Sequence, residues 1–190
     1  MRAFQAIACI IIALSLQTTV WAESIDIGPK VGMKIPEPFA TMDQAGAAKS
    51  FRDVTGEKGV VIAFVRSAAW CPFCQQQLKD LQTIAEPLKK EGIRLVSISY
   101  DAPEVLAKFA AKYSITYTML SDKGSKMIDA FDIRDPQYKE GSIAFGVPKP
   151  AIFIVDPTGA VRAKLAEEGF KTRPPVDAIR AAAEQALRAN

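Results

Sequence analysis

The 190-residue sequence contains no histidine and only three cysteines, and its 24 basic and 21 acidic residues leave a net charge of +3. Without an imidazole, Ser-His and Cys-His nucleophile pairs, histidine acid/base catalysis and most transition-metal sites are excluded. Basic and acidic residues are interleaved rather than blocked, which gives no footprint for nucleic acid or an acidic partner. Glycine and proline, 11 and 12 in number, are too few for a fibrous or low-complexity chain, and 49% hydrophobic against 24% charged residues argues against disorder. No internal repeat or interdomain linker is present. What remains is one compact domain with a sizeable core.

The first 22 residues have Arg2 as their only charge, an apolar stretch over 6–16, a polar patch over 17–19, and then Val20-Trp21-Ala22. That is the order of a secretory signal peptide cut after Ala22. An apolar run of about ten residues is too short to span a bilayer, which needs ~20, so no stable membrane insertion is expected after cleavage. Cys9 lies too early in the run to be a lipoprotein acceptor. The expectation is a periplasmic or secreted domain over 23–190. Cleavage removes Cys9 and Trp21, leaving Cys71 and Cys74 as the only cysteines, with Trp70 beside them. A pair three positions apart cannot clamp much chain.

Residues 60–65 form a continuous apolar run of strand length, the pattern of a strand covered on both faces. Cys74, Leu78, Leu81, Ala85 and Leu88 then recur at helical spacing, with Pro72 suited to the first turn and Gly92 as the stop. Pro87 is expected to kink the far end. A strand over 93–99 follows. Asp101 and Glu104 have capping-box spacing and open a helix through Val105, Phe109 and Tyr113. A short strand is expected near 117–120 and a helix near 124–131. Residues 151–155 and 160–165 flank an Asp-Pro-Thr-Gly turn and read as a hairpin. Val176, Ile179, Ala183 and Leu187 share one face of a closing helix. Ahead of all these, 32–54 reads as irregular or short-stranded, with a hairpin turn over 43–46. This order predicts an α/β domain: a mixed sheet with helices on both sides.

The strand-to-helix junction places Cys71 at the start of the first helical turn and Cys74 one turn inside. Free backbone N–H groups and the positive end of the helix dipole favour an anion at Cys71, and Arg66 could add to this stabilisation. Cys74 continues the apolar stripe. The pattern suits one attacking thiolate, Cys71, and one resolving thiol, Cys74. Three other readings compete. Zinc would need a second ligand pair, and the exported chain has only carboxylates to offer. Haem attachment would need a histidine where Gln75 stands. A purely structural disulfide would close too small a loop to stabilise much. No metal and no cofactor beyond the redox-active Cys71-Cys74 disulfide is expected.

Trp70-Cys71-Pro72-Phe73-Cys74 after an apolar strand resembles the active-site motif of the thioredoxin superfamily. The stretches 96–104, 108–113, 120–122 and 150–156 narrow the resemblance to the peroxiredoxin-like branch, the alkyl hydroperoxide reductase/thiol-specific antioxidant (redoxin) family. It covers roughly 31–165. The resemblance implies a thioredoxin-like three-layer α/β/α sandwich with an added N-terminal β-hairpin, and it implies that Pro150 is a cis-proline facing the thiol pair. Trp70, Pro72 and Phe73 would shape the site, Phe73 either facing substrate or only covering the helix start.

The departures bear on the reaction. Peroxiredoxins place Pro and Thr or Ser seven and three residues before the peroxide-reactive cysteine; here those positions hold Phe64 and Ala68, and the usual arginine position aligns with Pro150. Ser67 and Arg66 could substitute in part. The buried Asp that thioredoxins carry six residues before the first cysteine is replaced by Val65. The expected activity is that of an exported thiol-disulfide oxidoreductase acting on protein or small-molecule disulfides. The alternative is a thiol peroxidase in which Cys71 reacts with hydroperoxide and Cys74 resolves. Either one needs a thiol protein as electron donor or acceptor. A copper carrier of this fold would use a downstream histidine, which is absent.

Overall fold

The computed structural model describes residues 25–188; the signal-peptide reading of 1–22 therefore lies outside the described residues. The sheet is built on β3 (Gly59–Phe64), β4 (Ile93–Ser99) and β5 (Thr118–Ser121), which run parallel. Along β3 all six residues are buried, because successive side chains leave on opposite faces and both faces are covered. Val61 and Ala63 enter one core with Leu78, Leu81, Phe109 and Ile179; Val60, Ile62 and Phe64 enter the other with Leu120, Ile128 and Phe131.

The first core lies under α2 (Pro72–Lys90), α3 (Pro103–Tyr113) and α5 (Val176–Ala186). The second lies under α1 (Phe51–Val54) and α4 (Lys126–Ala130), with Ile35 and Phe39 of the N-terminal segment. Antiparallel β6 (Ala151–Val155) pairs with β3, and β7 (Val161–Leu165) with β6. At the other edge β1 (Thr41–Asp43) pairs with β5, and β2 (Ala48–Lys49) with β1, giving the order β2-β1-β5-β4-β3-β6-β7. The result is a three-layer α/β/α sandwich, a thioredoxin-like fold. Among the described residues no helix is long and apolar enough to cross a membrane.

Local chemistry explains the element ends. Asp43 Oδ1 accepts from the backbone N–H groups of Ala45 and Ala47, both at 2.9 Å, and so closes the β1–β2 turn. The Asp156 carboxylate does the same for β6–β7, accepting from Thr158 N at 2.8 Å and Ala160 N at 3.1 Å. Helix α2 starts on Pro72, runs through Pro87 and stops before Gly92, whose φ of +79° suits a residue without Cβ.

Two expectations change. Residues 51–54 are helical rather than irregular or stranded, because Asp53 Oδ2 accepts from Ser50 N at 2.7 Å and Ser50 Oγ at 2.6 Å, joining the helix start to its first turn. Asp101 does not cap α3. The N-cap is Ala102, without a side-chain bond, because the Asp101 carboxylate turns inward to stronger partners described next.

Candidate functional site

The loop 65–70 leaves the C-terminal end of β3 and returns as α2, so its shape fixes where the two cysteines stand. Asp101, buried at the end of β4, holds that loop from the neighbouring strand. Its Oδ1 accepts from Ser67 Oγ at 2.7 Å, and its Oδ2 accepts from Ala68 N at 2.7 Å and Ser99 Oγ at 2.8 Å. Ser67 Oγ in turn accepts from Ala69 N at 3.0 Å. From the helix side, Gln75 Nε2 donates to the carbonyls of Ala68 at 2.9 Å and Ala69 at 3.0 Å. Bonds from both the neighbouring strand and the following helix thus fix the shape of the bend.

Cys71 is the N-cap of α2 and Cys74 lies in its first turn; the two are joined as a disulfide, and Cys71 Sγ accepts from Cys74 N at 3.2 Å. That bond puts a helix N-terminal donor on the Cys71 sulfur, the arrangement that favours negative charge there. Both cysteines are buried in the disulfide form, Cys71 at 1% exposed and Cys74 at 0%, so exposure does not distinguish them in this state. Phe73, 39% exposed, is the apolar side chain the motif presents outward. It meets Phe170 edge-on with ring centroids 6.3 Å apart.

Arg66 is buried, and its Nη2 donates to Tyr138 Oη at 2.7 Å. Its guanidinium carbon stands 4.2 Å from the Phe170 ring centre, 4.9 Å from that of Tyr138 and 5.1 Å from that of Trp70. Arg66 is thus the middle of a cation-aromatic stack beside the motif, a favourable use of a desolvated guanidinium. Trp70 Nε1 donates to Tyr100 Oη at 2.8 Å, and Tyr100 Oη donates to Ile143 O at 2.6 Å. Burial, the largest influence, holds the Tyr100 phenol above its ordinary value, so it stays protonated in this chain of bonds.

Pro150 lies next to Ala151, the partner of Phe64 in the β3–β6 pairing, and so beside the start of the motif loop. It is not a cis-proline: among the described residues the cis peptide bond is Glu37–Pro38. Trans is the default for X–Pro, and the chain enters β6 without a reversal, with Lys149 N bonded to Ile133 O at 2.7 Å.

Sequence reasoning missed Arg173. Its Nη2 donates to Cys74 Sγ at 3.5 Å, its Nε to Gln77 Oε1 at 2.7 Å, and its Nη1 to the carbonyls of Phe170 at 2.5 Å and Thr172 at 2.8 Å. No local pattern could have found it, since 99 positions separate it from Cys74. Arg173, Phe73, Gln77 and Lys171 line an open groove of about 390 Å³ beside the disulfide. A larger hollow of about 750 Å³ lies at the opposite end of the sheet, around Gly56, Lys89, Gly92 and Arg94, and contains no thiol. No group of three or more His, Cys, Asp or Glu that could hold a metal ion exists among the described residues.

Comparison with known proteins gives a consistent result. The model of the AhpC/TSA family matches residues 31–164. Peroxiredoxin Bcp of Escherichia coli K12 is 29% identical over 136 residues, covering 72% of this chain and 80% of that protein. The thiol-disulfide oxidoreductase ResA of Bacillus cereus is 24% identical over 143 residues, 75% of this chain and 73% of its own. Among solved structures, peroxidoxin BcpB of Mycobacterium tuberculosis superposes with a TM-score of 0.66 at 23% identity, covering 84% of this chain and 94% of that one. The peroxiredoxin 6 of Arenicola marina, crystallised as a mutant, gives 0.73 at 18% identity, covering 86% and 76%. At these identities the structures establish the fold alone.

Proposed function

On the premise that this chain belongs to the AhpC/TSA family, we propose that it is a thiol-disulfide oxidoreductase whose Cys71-Cys74 pair cycles between dithiol and disulfide. The Cys71 thiolate attacks one sulfur of a substrate disulfide, forming a Cys71 mixed disulfide and expelling the first substrate thiolate, which takes up a proton. Cys74, as thiolate, then attacks Cys71 Sγ; the intramolecular disulfide forms and the second substrate thiol leaves. Two electrons pass from the protein to the substrate. The helix N-terminus at Cys71 supports its role as the attacking sulfur.

The observation that carries this reading over a peroxidase is what surrounds the pair. A hydroperoxide needs donors directed at the O–O bond. Phe64 packs on the opposite face of the sheet with Phe131 and Phe153, at centroid distances of 4.7 and 5.9 Å. The Ser67 hydroxyl and the Ala68 N–H are both taken by Asp101, Arg66 is held in its aromatic stack, and Pro150 has no N–H. The likeness to peroxiredoxin Bcp supports the second reading, a peroxidase passing through a Cys71 sulfenic acid. One reductant should be offered to both reactions. Insulin disulfide reduction lost in Cys71→Ser, with slow consumption of hydrogen peroxide, is the expected result. Rapid peroxide turnover without disulfide reduction overturns it.

The proposal includes export. The charge, apolar stretch and small residues of 1–22 support cleavage after Ala22, so protein recovered from the producing cell should begin at Glu23 and lie outside the cytoplasm. A cytoplasmic chain still beginning at Met1 would contradict export without touching the chemistry.

A further inference from the structure

Arg66 and Arg173 approach one another at the motif, and neither has a carboxylate partner among the described residues. Among the described residues the side-chain hydrogen bonds of the two end on neutral groups: a phenol, an amide, two carbonyls and the sulfur of Cys74. Arg66 is 4% exposed and its buried Nε has no hydrogen-bond partner among the described residues. Burial, and then the charge of Arg66, pulls the Arg173 guanidinium down to about 10, so it remains cationic at neutral pH. Two desolvated cations without a counter-charge are costly unless an anion completes the cluster in another state of the protein. In the disulfide form the sulfur nearest to them is neutral.

We propose that the missing anion is the thiolate of Cys74, and that Arg173 is the residue that makes Cys74 a competent resolving nucleophile. The proposal rests on the dithiol reading above. It also gives a route to the thiolate that needs no base from the motif loop, where Val65 stands in the place of the buried Asp of a thioredoxin; the guanidinium stabilises the anion and the proton passes to solvent. Cys74 is otherwise part of a buried apolar cluster, to which β3 contributes Val61 and Ala63, β6 Ile152 and Ile154, and α5 Ile179 and Ala183. The charges and titratable groups facing it are Cys71, Arg173 and, behind it, Arg66, with Lys171 and Asp80 at the rim of the groove. Apolar burial by itself would hold the Cys74 thiol protonated. One guanidinium N–H on the sulfur reverses that preference once the disulfide opens.

Two consequences separate this role from a purely structural one. A lower Cys74 pKa favours the reduced state, by about tenfold in the equilibrium with a reference dithiol for each pK unit at pH values above the midpoint and by little below it, so in that alkaline range the couple becomes more oxidising. The resolving rate responds to pH in a particular way. Below both midpoints, a rise in Cys74 pKa slows resolution roughly threefold per unit, because the loss of thiolate outweighs the gain in nucleophilicity; above both midpoints the order reverses.

The test uses the full chain with Cys9→Ser and Cys71→Ser, so that Cys74 is the remaining thiol, and follows its thiolate absorbance in the ultraviolet against pH. Arg173→Gln is expected to raise the midpoint by about one unit or more, Arg173→Lys to recover most of the shift, and Lys171→Gln to leave it unchanged. Near-ultraviolet circular dichroism checks that the variants are folded. In the chain that retains Cys71, Arg173→Gln should slow release of thiol from a preformed mixed disulfide at neutral pH and lose that deficit in alkali. A Cys74 midpoint that Arg173→Gln leaves within about 0.3 units of the parent overturns the proposal. Should the midpoint move as expected while the wild-type chain fails to reduce insulin, the Arg173 assignment holds and the oxidoreductase reading falls.

Discussion

Replacing Asp101 by alanine should show how strongly the motif loop depends on one side chain outside it. The carboxylate accepts three hydrogen bonds, all between 2.7 and 2.8 Å, from Ser67 Oγ, Ala68 N and Ser99 Oγ. A hydrogen bond to a charged acceptor contributes ~1.5–3 kcal/mol, and a buried donor left unpaired costs ~1–3 kcal/mol. The two serine hydroxyls can rotate toward other acceptors, whereas the Ala68 N–H is fixed by the backbone and 2% exposed. The three losses are therefore not additive, and Asp101→Ala should destabilise the disulfide form by ~3–5 kcal/mol. Asp101→Asn keeps the shape. Its amide oxygen can serve Ala68 and Ser99 while its amide group donates to a reoriented Ser67 hydroxyl, limiting the cost to ~1–2 kcal/mol. Urea unfolding of the oxidised proteins measures both values. Hydrogen exchange at the Ala68 amide reads the loop directly, with protection lost in the alanine variant and largely kept in the asparagine variant. An Asp101→Ala protein that loses less than ~1 kcal/mol, with Ala68 still protected, would refute the idea that Asp101 holds the loop.

Two further outcomes follow from the same geometry. Trp70 adjoins Cys71 and bonds Tyr100 Oη, so tryptophan emission should change when the disulfide is reduced with dithiothreitol; Cys71→Ser should abolish the change and Trp70→Phe should remove its source. No difference on reduction would count against a redox role for the pair. Tyr117, buried with its hydroxyl donating to Leu78 O at 2.8 Å, has a phenol that burial holds above its ordinary value. Because its folded pKa is raised, the stability tied to its proton is fully present below the unfolded pKa of ~10 and is lost as pH rises beyond it. Tyr117→Phe should therefore cost ~1 kcal/mol at neutral pH yet flatten the alkaline decline, and a parallel decline in both proteins would exclude this residue as its source.

Much of the fold was legible because its signals are local. The strand at 93–99 is β4 to the residue, and the Cys74-Leu78-Leu81-Ala85-Leu88 stripe is the buried face of α2. The apolar run at 60–65 announced a strand covered on both faces, since no alternation is possible where neither face meets water. Asp101 shows where local reading ends. Its spacing from Glu104 satisfies a capping box, but tertiary packing offers it three inward donors, one of them a backbone N–H that only a neighbouring strand could satisfy. Pro150 shows a related limit, for the place of a proline in a motif does not fix its peptide isomer.

The sequence by itself determined the chemistry available to this protein. With no histidine and, after the expected cleavage, two cysteines three positions apart at a strand-to-helix junction, a thiol pair is what the composition leaves. Tertiary structure decided the electrostatics of that pair. Arg173 reaches the Cys74 sulfur from the far end of the chain, Arg66 stacks among three rings from three different segments, and Asp101 ties the loop to the next strand. Coulomb and hydrogen-bond interactions act through a few ångströms of space, and only folding brings residues so distant in the chain that close.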